Sequence, residues 1–514
     1  MSAPDAADEH GRDRRTLLAG TAQNVVGLVV YVLGTFGANV LVARAFGGEA
    51  AGATALGIVT LATQFAFVAA AGTRFGMDMA AVRDVAIEAG RGDGARIRGI
   101  VDRALGVAAL GSVVVAVPVF LAAPWLGARF SDQAGAATAL RWAAVALPFV
   151  AVTFVSLGAS RGLKVMRHTL VVQWIGQPVL WIALMPLAWA IERTATAAVA
   201  AYAVSWMLAA IGAWALWSRE ARAFGREPAA PGELGRLVRY GAPRAPAALL
   251  SQGLFWIDYF VASAFVARGV VTAEELGVYS SSVRIALAMV LFLTAVSYVF
   301  SPFVADLHER GERERLDALF KAITRWTVAG TIPVLLLMLV APEPLLRVFG
   351  GEAFTGGADA LRILLIGQTV NVGVGAAGFV LIMAGRTGWD LVVYALSFLL
   401  DLVLALVLVP RLGVEGAAIA QTVTVAASNA LRLVLVRRFV GIQPYERAYL
   451  RLLPAAIGCA AAMALADRAF ASVAWPVALT GTGLAGLVVY APLLLATGVT
   501  PDERRSVLAR LRRG

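Results

Sequence analysis

Long apolar runs alternate with short charged or Gly- and Pro-containing intervals along the whole chain. Each run is close to the roughly 20 residues that a helix needs to cross the hydrocarbon core of a bilayer. The predicted spans are residues 17–43, 51–72, 99–123, 138–159, 168–190, 196–218, 240–267, 276–303, 324–345, 358–383, 388–410, 412–436, 450–468 and 474–497. The pattern therefore predicts an all-α, polytopic membrane protein with about 14 transmembrane helices.

Basic residues are concentrated in alternate intervals between these spans. The tails and the intervals on their side contain 32 of the 44 Arg and Lys residues, whereas the opposite intervals contain seven. Because Arg and Lys are retained on the cytoplasmic side of a membrane, both termini are predicted to be cytoplasmic. We therefore expect a multi-pass protein of the plasma membrane, with cytoplasmic tails at residues 1–16 and 498–514.

The composition excludes several classes of protein. Hydrophobic residues make up 60% of the chain and charged residues 15%, which rules out a soluble enzyme and a disordered chain. The net charge of +11 is spread over short loops, so we expect no nucleic-acid partner. With a single cysteine, Cys459, and three histidines in charged intervals, we expect no metal centre and no cofactor.

The chain matches itself at an offset of about 220 residues. Residues 42–46 correspond to residues 261–265, residues 139–141 to 360–362, and residues 197–200 to 417–420. Six spans per repeat return the chain to the same side, so the two repeats are parallel. We predict a first lobe at residues 17–218, a linker at 219–239, a second lobe at 240–438 and two further spans at 439–497. Two such lobes that rock about a cleft form the architecture of a transporter.

Turn and helix-packing residues in both halves follow a pattern known from one family. In the first half the pattern comprises Val42 to Gly48 followed by Gly52. In the second half it comprises Leu276-Gly277-Val278-Tyr279, Pro302, Met383-Ala384-Gly385-Arg386 and the run from Pro410 to Ala420. These segments resemble the polysaccharide and oligosaccharide flippases of the multidrug/oligosaccharidyl-lipid/polysaccharide exporter superfamily. The resemblance covers nearly the whole chain, and the same superfamily contains multidrug exporters and lipid II flippases.

The resemblance implies a flippase that moves a polyprenyl-diphosphate-linked oligosaccharide to the outer leaflet, with no covalent chemistry. The expected partners are this lipid-linked substrate and membrane lipids, with the protein acting as a monomer. Coupling to protons, to sodium or to the membrane potential alone stays open. A hydrated, cationic path is expected on physical grounds, because each desolvated polar group of the headgroup costs kilocalories.

Three ionisable residues lie deep within the predicted spans. Asp258, Arg284 and Asp401 are each about 12 to 14 Å from the outer surface, at 1.5 Å per residue of helix. A charge at the centre of a span costs about 2.5 to 3.5 kcal/mol on insertion scales, so such residues are functional candidates. In one interpretation Arg284 binds the diphosphate while Asp258 or Asp401 gates transport or takes up a proton. In the other, Asp258 and Arg284 form a structural ion pair.

Other polar residues could extend this path. Arg44, Arg74 and Arg244 lie at ends of predicted spans, where they either contact phosphate or snorkel to the interface. The list of uncharged candidates for contact with sugar hydroxyls comprises Asn39, Gln64, Gln252 and Asn371. Their alternative role is hydrogen bonding between helices.

Two other functions are weighed against the flippase. A cation-coupled multidrug exporter of the same superfamily is expected to carry buried carboxylates in its first lobe, but the first six spans contain no mid-membrane Asp or Glu. A membrane glycosyltransferase or polymerase would need an acidic metal motif or a large catalytic loop. No interval between spans has these features, so an enzyme is not expected.

Overall fold

The regular elements of the described chain are all helices. The computed structural model describes residues 27–47, 49–91, 94–130, 135–225, 232–242 and 244–498. These residues form two compact units, Met1–Gly277 and Val278–Gly514. The predicted all-α fold is confirmed. The predicted tail at residues 1–16 lies outside the described residues, as do residues 499–514 of the other predicted tail.

The first unit is a bundle built around one central helix. Its described helices are α1 (Gly27–Ala45), α2 (Ala50–Thr73), α3 (Met77–Arg91), α4 (Ile97–Phe130), α5 (Ala136–Gly162), α6 (Arg167–Ile191), α7 (Ala195–Ala221), α8 (Glu233–Gly241), α9 (Arg244–Gly253) and α10 (Ile257–Ala264). The central helix α5 packs against α2, α3, α4 and α7. Small buried side chains such as Ala104 and Ala151 line these contacts, which lets the helices approach closely without a large polar core.

The second unit contains the remaining helices. They are α11 (Ala273–Glu309), whose first turn belongs to the first unit, α12 (Arg313–Val340), α13 (Pro342–Gly350), α14 (Ala358–Val374), α15 (Ala377–Met383), α16 (Thr387–Phe439), α17 (Leu453–Ala469) and α18 (Trp475–Leu493). The last two helices pack on each other and on α12. Met463 and Tyr490 are buried there, and the Tyr490 hydroxyl donates a 2.6 Å hydrogen bond to the carbonyl oxygen of Ala329.

The long element α16 consists of two helices joined at Gly413. This residue has φ 60° and ψ −136°, which is outside the helical region and is accessible mainly to glycine. A side chain on Gly416 would begin 2.6 Å from the carbonyl oxygen of Leu408. In a continuous helix those residues would be about 12 Å apart. The chain therefore reverses at Gly413, and α16 accounts for two predicted spans.

Within the described residues, the predicted spans coincide with helices, whereas residues 17–26 of the first predicted span lie outside the described residues. Ten described helices are long and apolar enough to cross a membrane, or up to twelve when two bent pairs are each counted as one span. The bent pairs correct the prediction of two continuous spans. The seventh span is divided into α9 and α10, with a 66° bend, and the tenth into α14 and α15, with a 45° bend.

Helices α8 to α10 pack within the first unit, although the sequence repeat places residues 240–267 at the start of the second lobe. A side chain on Gly241 would begin 2.2 Å from the carbonyl oxygen of Phe75, so these backbones touch. The Tyr259 hydroxyl donates a 2.8 Å hydrogen bond to the carbonyl oxygen of Gly57. The predicted lobe boundaries were set by the positions at which the two sequence repeats match, and they stay a prediction.

Candidate functional site

A buried arginine closes the end of α2. The chain leaves this helix at Arg74 and enters α3 through Phe75 (φ 50°) and Gly76 (φ 66°). Glycine is required at the second position because its positive φ and its closeness to the carbonyl oxygen of Gly241, 2.7 Å from an added Cβ, leave no room for a side chain. This tight turn directs the Arg74 side chain into the bundle, where the residue is 9% exposed.

The guanidinium of Arg74 has few polar contacts in this position. Its carbon lies 4.2 Å from the centroid of the Phe154 ring, and Nη1 is 3.6 Å from Oδ2 of Asp78. Nε and Nη1 have no hydrogen-bond acceptor among the described residues. Burial lowers the pKa of Arg74 and the Asp78 carboxylate opposes that shift, but an arginine with so high a reference pKa stays charged. The site can therefore donate hydrogen bonds to an entering anion.

Aromatic rings continue from Arg74 through the core of the first unit. Phe154 lies 6.2 Å from Phe67 and 6.0 Å from Trp206 between ring centroids. Trp206 in turn meets Tyr202, which lies 5.1 Å from Trp181. The Trp181 indole donates to the carbonyl oxygen of Ala198. Trp181 and Trp206 are 3% and 1% exposed, so they pack the bundle and offer no open face for stacking on a sugar.

The break between α9 and α10 places an acidic residue in the interior of the first unit. Trp256 has φ −139° and ψ 0°, which ends the helical path before α10. Asp258 follows in the first turn of α10 and is fully buried. An acidic residue is favoured at this end of a helix because the backbone N–H groups there are free and the helix dipole is positive. Gln252, just before the break, is half-buried.

The remaining candidates of the first unit differ in burial. Asn39 on α1 is 1% exposed, its Nδ2 donates to the carbonyl oxygen of Thr35 at 2.6 Å, and its Oδ1 has no partner among the described residues. Gln64 on α2 is half-buried. Arg44 and Arg244 are exposed at helix ends, as expected for residues that reach an interface.

In the second unit, Arg284 lies on α11. Asp401 lies on the first arm of α16, which is the helix that precedes Gly413, whereas the second arm is the helix that follows it. Arg284 is half-buried and Asp401 is fully buried. The structure thus places one ionisable candidate in the first unit and two in the second. The predicted Asp258–Arg284 ion pair and the roles of all three residues stay predictions.

Asn371 takes part in a series of side-chain hydrogen bonds that connects α14 and α16. Its Nδ2 donates to Gln368 at 3.1 Å, and Asn429 on the second arm of α16 donates to its Oδ1 at 3.1 Å. Gln177 and Ser205 form a comparable contact between α6 and α7. Asn371 thus makes the inter-helix hydrogen bond of the alternative interpretation, and its contact with sugar stays a prediction.

An ion pair in the second unit was not anticipated from the sequence. Nε of Arg432 lies 3.8 Å from Oδ1 of Asp390, and its guanidinium is 5.1 Å from the Tyr394 ring centroid. The two residues occupy opposite arms of α16, so the pair links the arms. The available signal was the opposite charge of Asp390 and Arg432 in two neighbouring apolar runs. Among the described residues, no cluster of His, Cys, Asp and Glu could hold a metal ion.

Comparisons with known proteins agree on a family and a fold. A family model described as polysaccharide biosynthesis protein matches residues 52–358. The probable low-salt glycan biosynthesis flippase Agl15 of Haloferax volcanii is 25% identical over 191 residues, which cover 37% of this chain and only 39% of the relative.

Two solved structures share the fold. Lipid II flippase MurJ in an inward closed conformation has a TM-score of 0.73 at 13% identity, covering 93% of this chain and 98% of that one. An inward-facing multidrug resistance MATE family transporter of the MOP superfamily has a TM-score of 0.67 at 15% identity, covering 81% and 98%. Since the family match spans more than half of the sequence, the chain belongs to the polysaccharide biosynthesis protein family. It is a multi-pass membrane protein whose fold is similar to those of MurJ and the MATE family transporter.

Proposed function

We propose that this protein is a flippase for a polyprenyl-diphosphate-linked oligosaccharide. The observation that carries the proposal is the buried Arg74, whose Nε and Nη1 make no hydrogen bond within the described residues, although the Asp78 carboxylate lies 3.6 Å from Nη1. Such a guanidinium suits a phosphate group, since arginine matches phosphate oxygens with paired hydrogen bonds. Family membership and the likeness to Agl15 and MurJ support a lipid-linked glycan as the cargo.

The transport path requires the headgroup to remain hydrated or hydrogen-bonded. Moving an amide- or hydroxyl-like group into an apolar medium without a partner costs roughly 2 to 7 kcal/mol, and an oligosaccharide carries many such groups. In our proposal Arg74 and Arg284 attract the diphosphate, with Arg44 near the far end of the path. Asn39, Gln64, Gln252 and Asn371 exchange hydrogen bonds with the sugar, while the lipid tail stays in the bilayer.

We assign coupling or gating to Asp258 and Asp401. Both are fully buried, and in such a place a proton would neutralise the carboxylate, whereas a bound sodium ion would balance its charge. Alternating access of the cleft between the cytoplasmic and outer sides would then follow the charge of these residues. The plasma membrane as location and the cytoplasmic position of both termini belong to this proposal.

Translocation in proteoliposomes tests the proposal directly. The assay follows a fluorescent lipid-diphosphate oligosaccharide from one leaflet to the other, for the parent and for Arg74→Ala, Arg284→Ala, Asp258→Asn and Asp401→Asn. Loss of charge-assisted hydrogen bonds worth about 1.5 to 3 kcal/mol predicts at least about tenfold slower translocation for both arginine variants, with the largest loss for Arg284→Ala. Arg315→Ala is the control, because this exposed side chain pairs only with Glu312 among the described residues.

The results separate the flippase from its main rival. Parental rates in all four variants would remove the proposed site. Proton- or sodium-driven efflux of a cationic dye, without movement of the lipid-linked sugar, would instead identify a multidrug exporter.

A further inference from the structure

Two arginines contact one tyrosine ring in the first unit, beside the turn that follows Arg74: a Cβ on Gly76 of that turn would lie 3.0 Å from Cβ of Arg244. Arg83 of α3 and Arg244 at the start of α9 have their guanidinium carbons 4.5 and 4.9 Å from the ring centroid of Tyr240. Both guanidinium groups therefore contact the same ring. Each of them can donate hydrogen bonds to a phosphate group at this surface.

Acidic residues near this pair lie beneath the surface, and the arginines lie above them. The side chains of Asp84 and Glu233 are 7% and 2% exposed, whereas those of Arg83 and Arg236 are 47% and 54% exposed. Arg236 contacts both acids, with distances of 3.7 Å to Asp84 and 3.4 Å to Glu233, and Nη1 of Arg83 lies 3.6 Å from Oδ1 of Asp84. Because the negative charges are covered, the outward face presents mainly guanidinium groups.

Apolar side chains flank Arg83 on the same helix. Met79 and Ile87 lie four residues before and after it, so all three share one face of α3. Both are substantially exposed, at 45% and 36%. A surface that meets only water gains nothing from such residues, whereas a surface that meets a lipid can contact acyl chains with Met79 and Ile87 while its cations contact the headgroup.

We propose that Arg83, Tyr240 and Arg244 bind the phosphate headgroup of an anionic phospholipid at the membrane surface. Tyr240 and Arg244 lie where the seventh span begins, which is the level at which tyrosine and arginine meet headgroups. The ring holds the two guanidinium groups in place through cation–π contacts. The bound lipid anchors α3 to the turn between α8 and α9, whatever cargo the transporter carries.

Lipid titration of the detergent-solubilised protein, followed by native mass spectrometry, tests this site. Phosphatidylglycerol is compared with phosphatidylcholine for the parent, Arg83→Gln, Arg244→Gln, Tyr240→Phe and Tyr240→Leu. Each arginine removed is expected to weaken binding of phosphatidylglycerol roughly fivefold, from the attraction of one basic residue to an anionic surface. Tyr240→Phe keeps the ring and retains affinity, whereas Tyr240→Leu loses it. Arg91→Gln is the matched control, since this α3 arginine is 67% exposed and pairs with Glu88 rather than with a ring.

Three outcomes would overturn the proposal. The first is equal affinity of the parent for the two phospholipids, and the second is parental affinity in the Arg83→Gln, Arg244→Gln double variant. The third is displacement of phosphatidylglycerol by another phosphate compound at equal concentration. Displacement by inorganic phosphate would assign the site to a soluble anion, and displacement by a polyprenyl diphosphate would assign it to the cargo. Retention of parental elution and thermal unfolding by each variant shows that a lost affinity reflects the site itself.

Discussion

Arginines at helix ends have different environments in this protein although their sequence contexts are alike. Arg74 and Arg244 both flank apolar runs. The sequence therefore leaves the same two alternatives open for each, a contact with phosphate or a position at the membrane interface. The structure buries Arg74 against Phe154 and leaves Arg244 exposed beside Tyr240. The difference arises because Phe154 is distant in sequence from Arg74 and reaches it only through packing of α5 on α2.

Close backbone packing explains one glycine of the motif Leu276-Gly277-Val278-Tyr279. A side chain on Gly277 would begin 1.8 Å from the carbonyl oxygen of Ala53. Gly277→Ala is therefore expected to destabilise the protein by about 1 to 3 kcal/mol, the range for overpacking. Thermal unfolding in detergent measures this effect.

The control for Gly277→Ala is Gly212→Ala within α7. An added methyl group there meets no neighbouring atom within 4 Å. Alanine favours a helix over glycine by about 1 kcal/mol, so this variant is expected to unfold at the parental temperature or above it. Equal midpoints for the two variants would contradict the role assigned to Gly277.

At the scale of elements, the spans were predictable from the sequence and their interruptions were not. A run of apolar residues satisfies the bilayer requirement whether or not its helix bends, so hydropathy alone could not distinguish α9 and α10 from one continuous span. The break at Trp256 depends on backbone angles and on the contact of Tyr259 with Gly57. The short helices α3 and α8 were missed because charged residues interrupt their apolar faces, yet those charges form the buried network of Asp84 and Glu233.

Helix α12 holds the segment that leads into the last two spans. Arg313 donates a 2.8 Å hydrogen bond to the carbonyl oxygen of Gly441, and Oδ1 of Asp317 accepts from the backbone N–H of Gln443 at 3.0 Å. Further along the helix, Nε of the buried Arg325 lies 3.4 Å from Oε1 of Glu446. One helix thus contacts residues 441–446 at several points, which indicates that the segment is ordered by α12.

Removal of the buried contact should loosen this segment. Arg325→Met leaves Glu446 without its guanidinium partner, and loss of an ion pair worth about 1 kcal/mol predicts roughly fivefold faster amide exchange at residues 441–446. Hydrogen exchange with mass spectrometry measures the change. Arg315→Met on the same helix is the control, because that side chain is 74% exposed. Unchanged protection in Arg325→Met would show that the other contacts hold the segment alone.

At the scale of the whole molecule, the sequence predicts the family and the helical fold better than it predicts the site. The spacing of apolar runs and the matched turns led to the family that the comparisons show. The ionisable candidates were identified only by their predicted depth in the membrane. That depth does not determine which side chains belong to the same compact unit. Asp258 belongs to one unit and Arg284 and Asp401 to the other, so their joint action depends on the transport experiments.

The orientation predicted from the arginines can be tested on a single helix. Helix α7 is about 40 Å long at 1.5 Å per residue, enough to place Glu192 and Ala223, just beyond its ends, on opposite sides of a membrane. Cys459, the chain's one cysteine, is fully buried, so the parent should react little with a membrane-impermeant maleimide. In intact cells the reagent should label Glu192→Cys, whereas Ala223→Cys should react only after permeabilisation, because the arginine-rich end faces the cytoplasm. The reverse pattern would invert the predicted topology and, with it, the direction of the proposed transport.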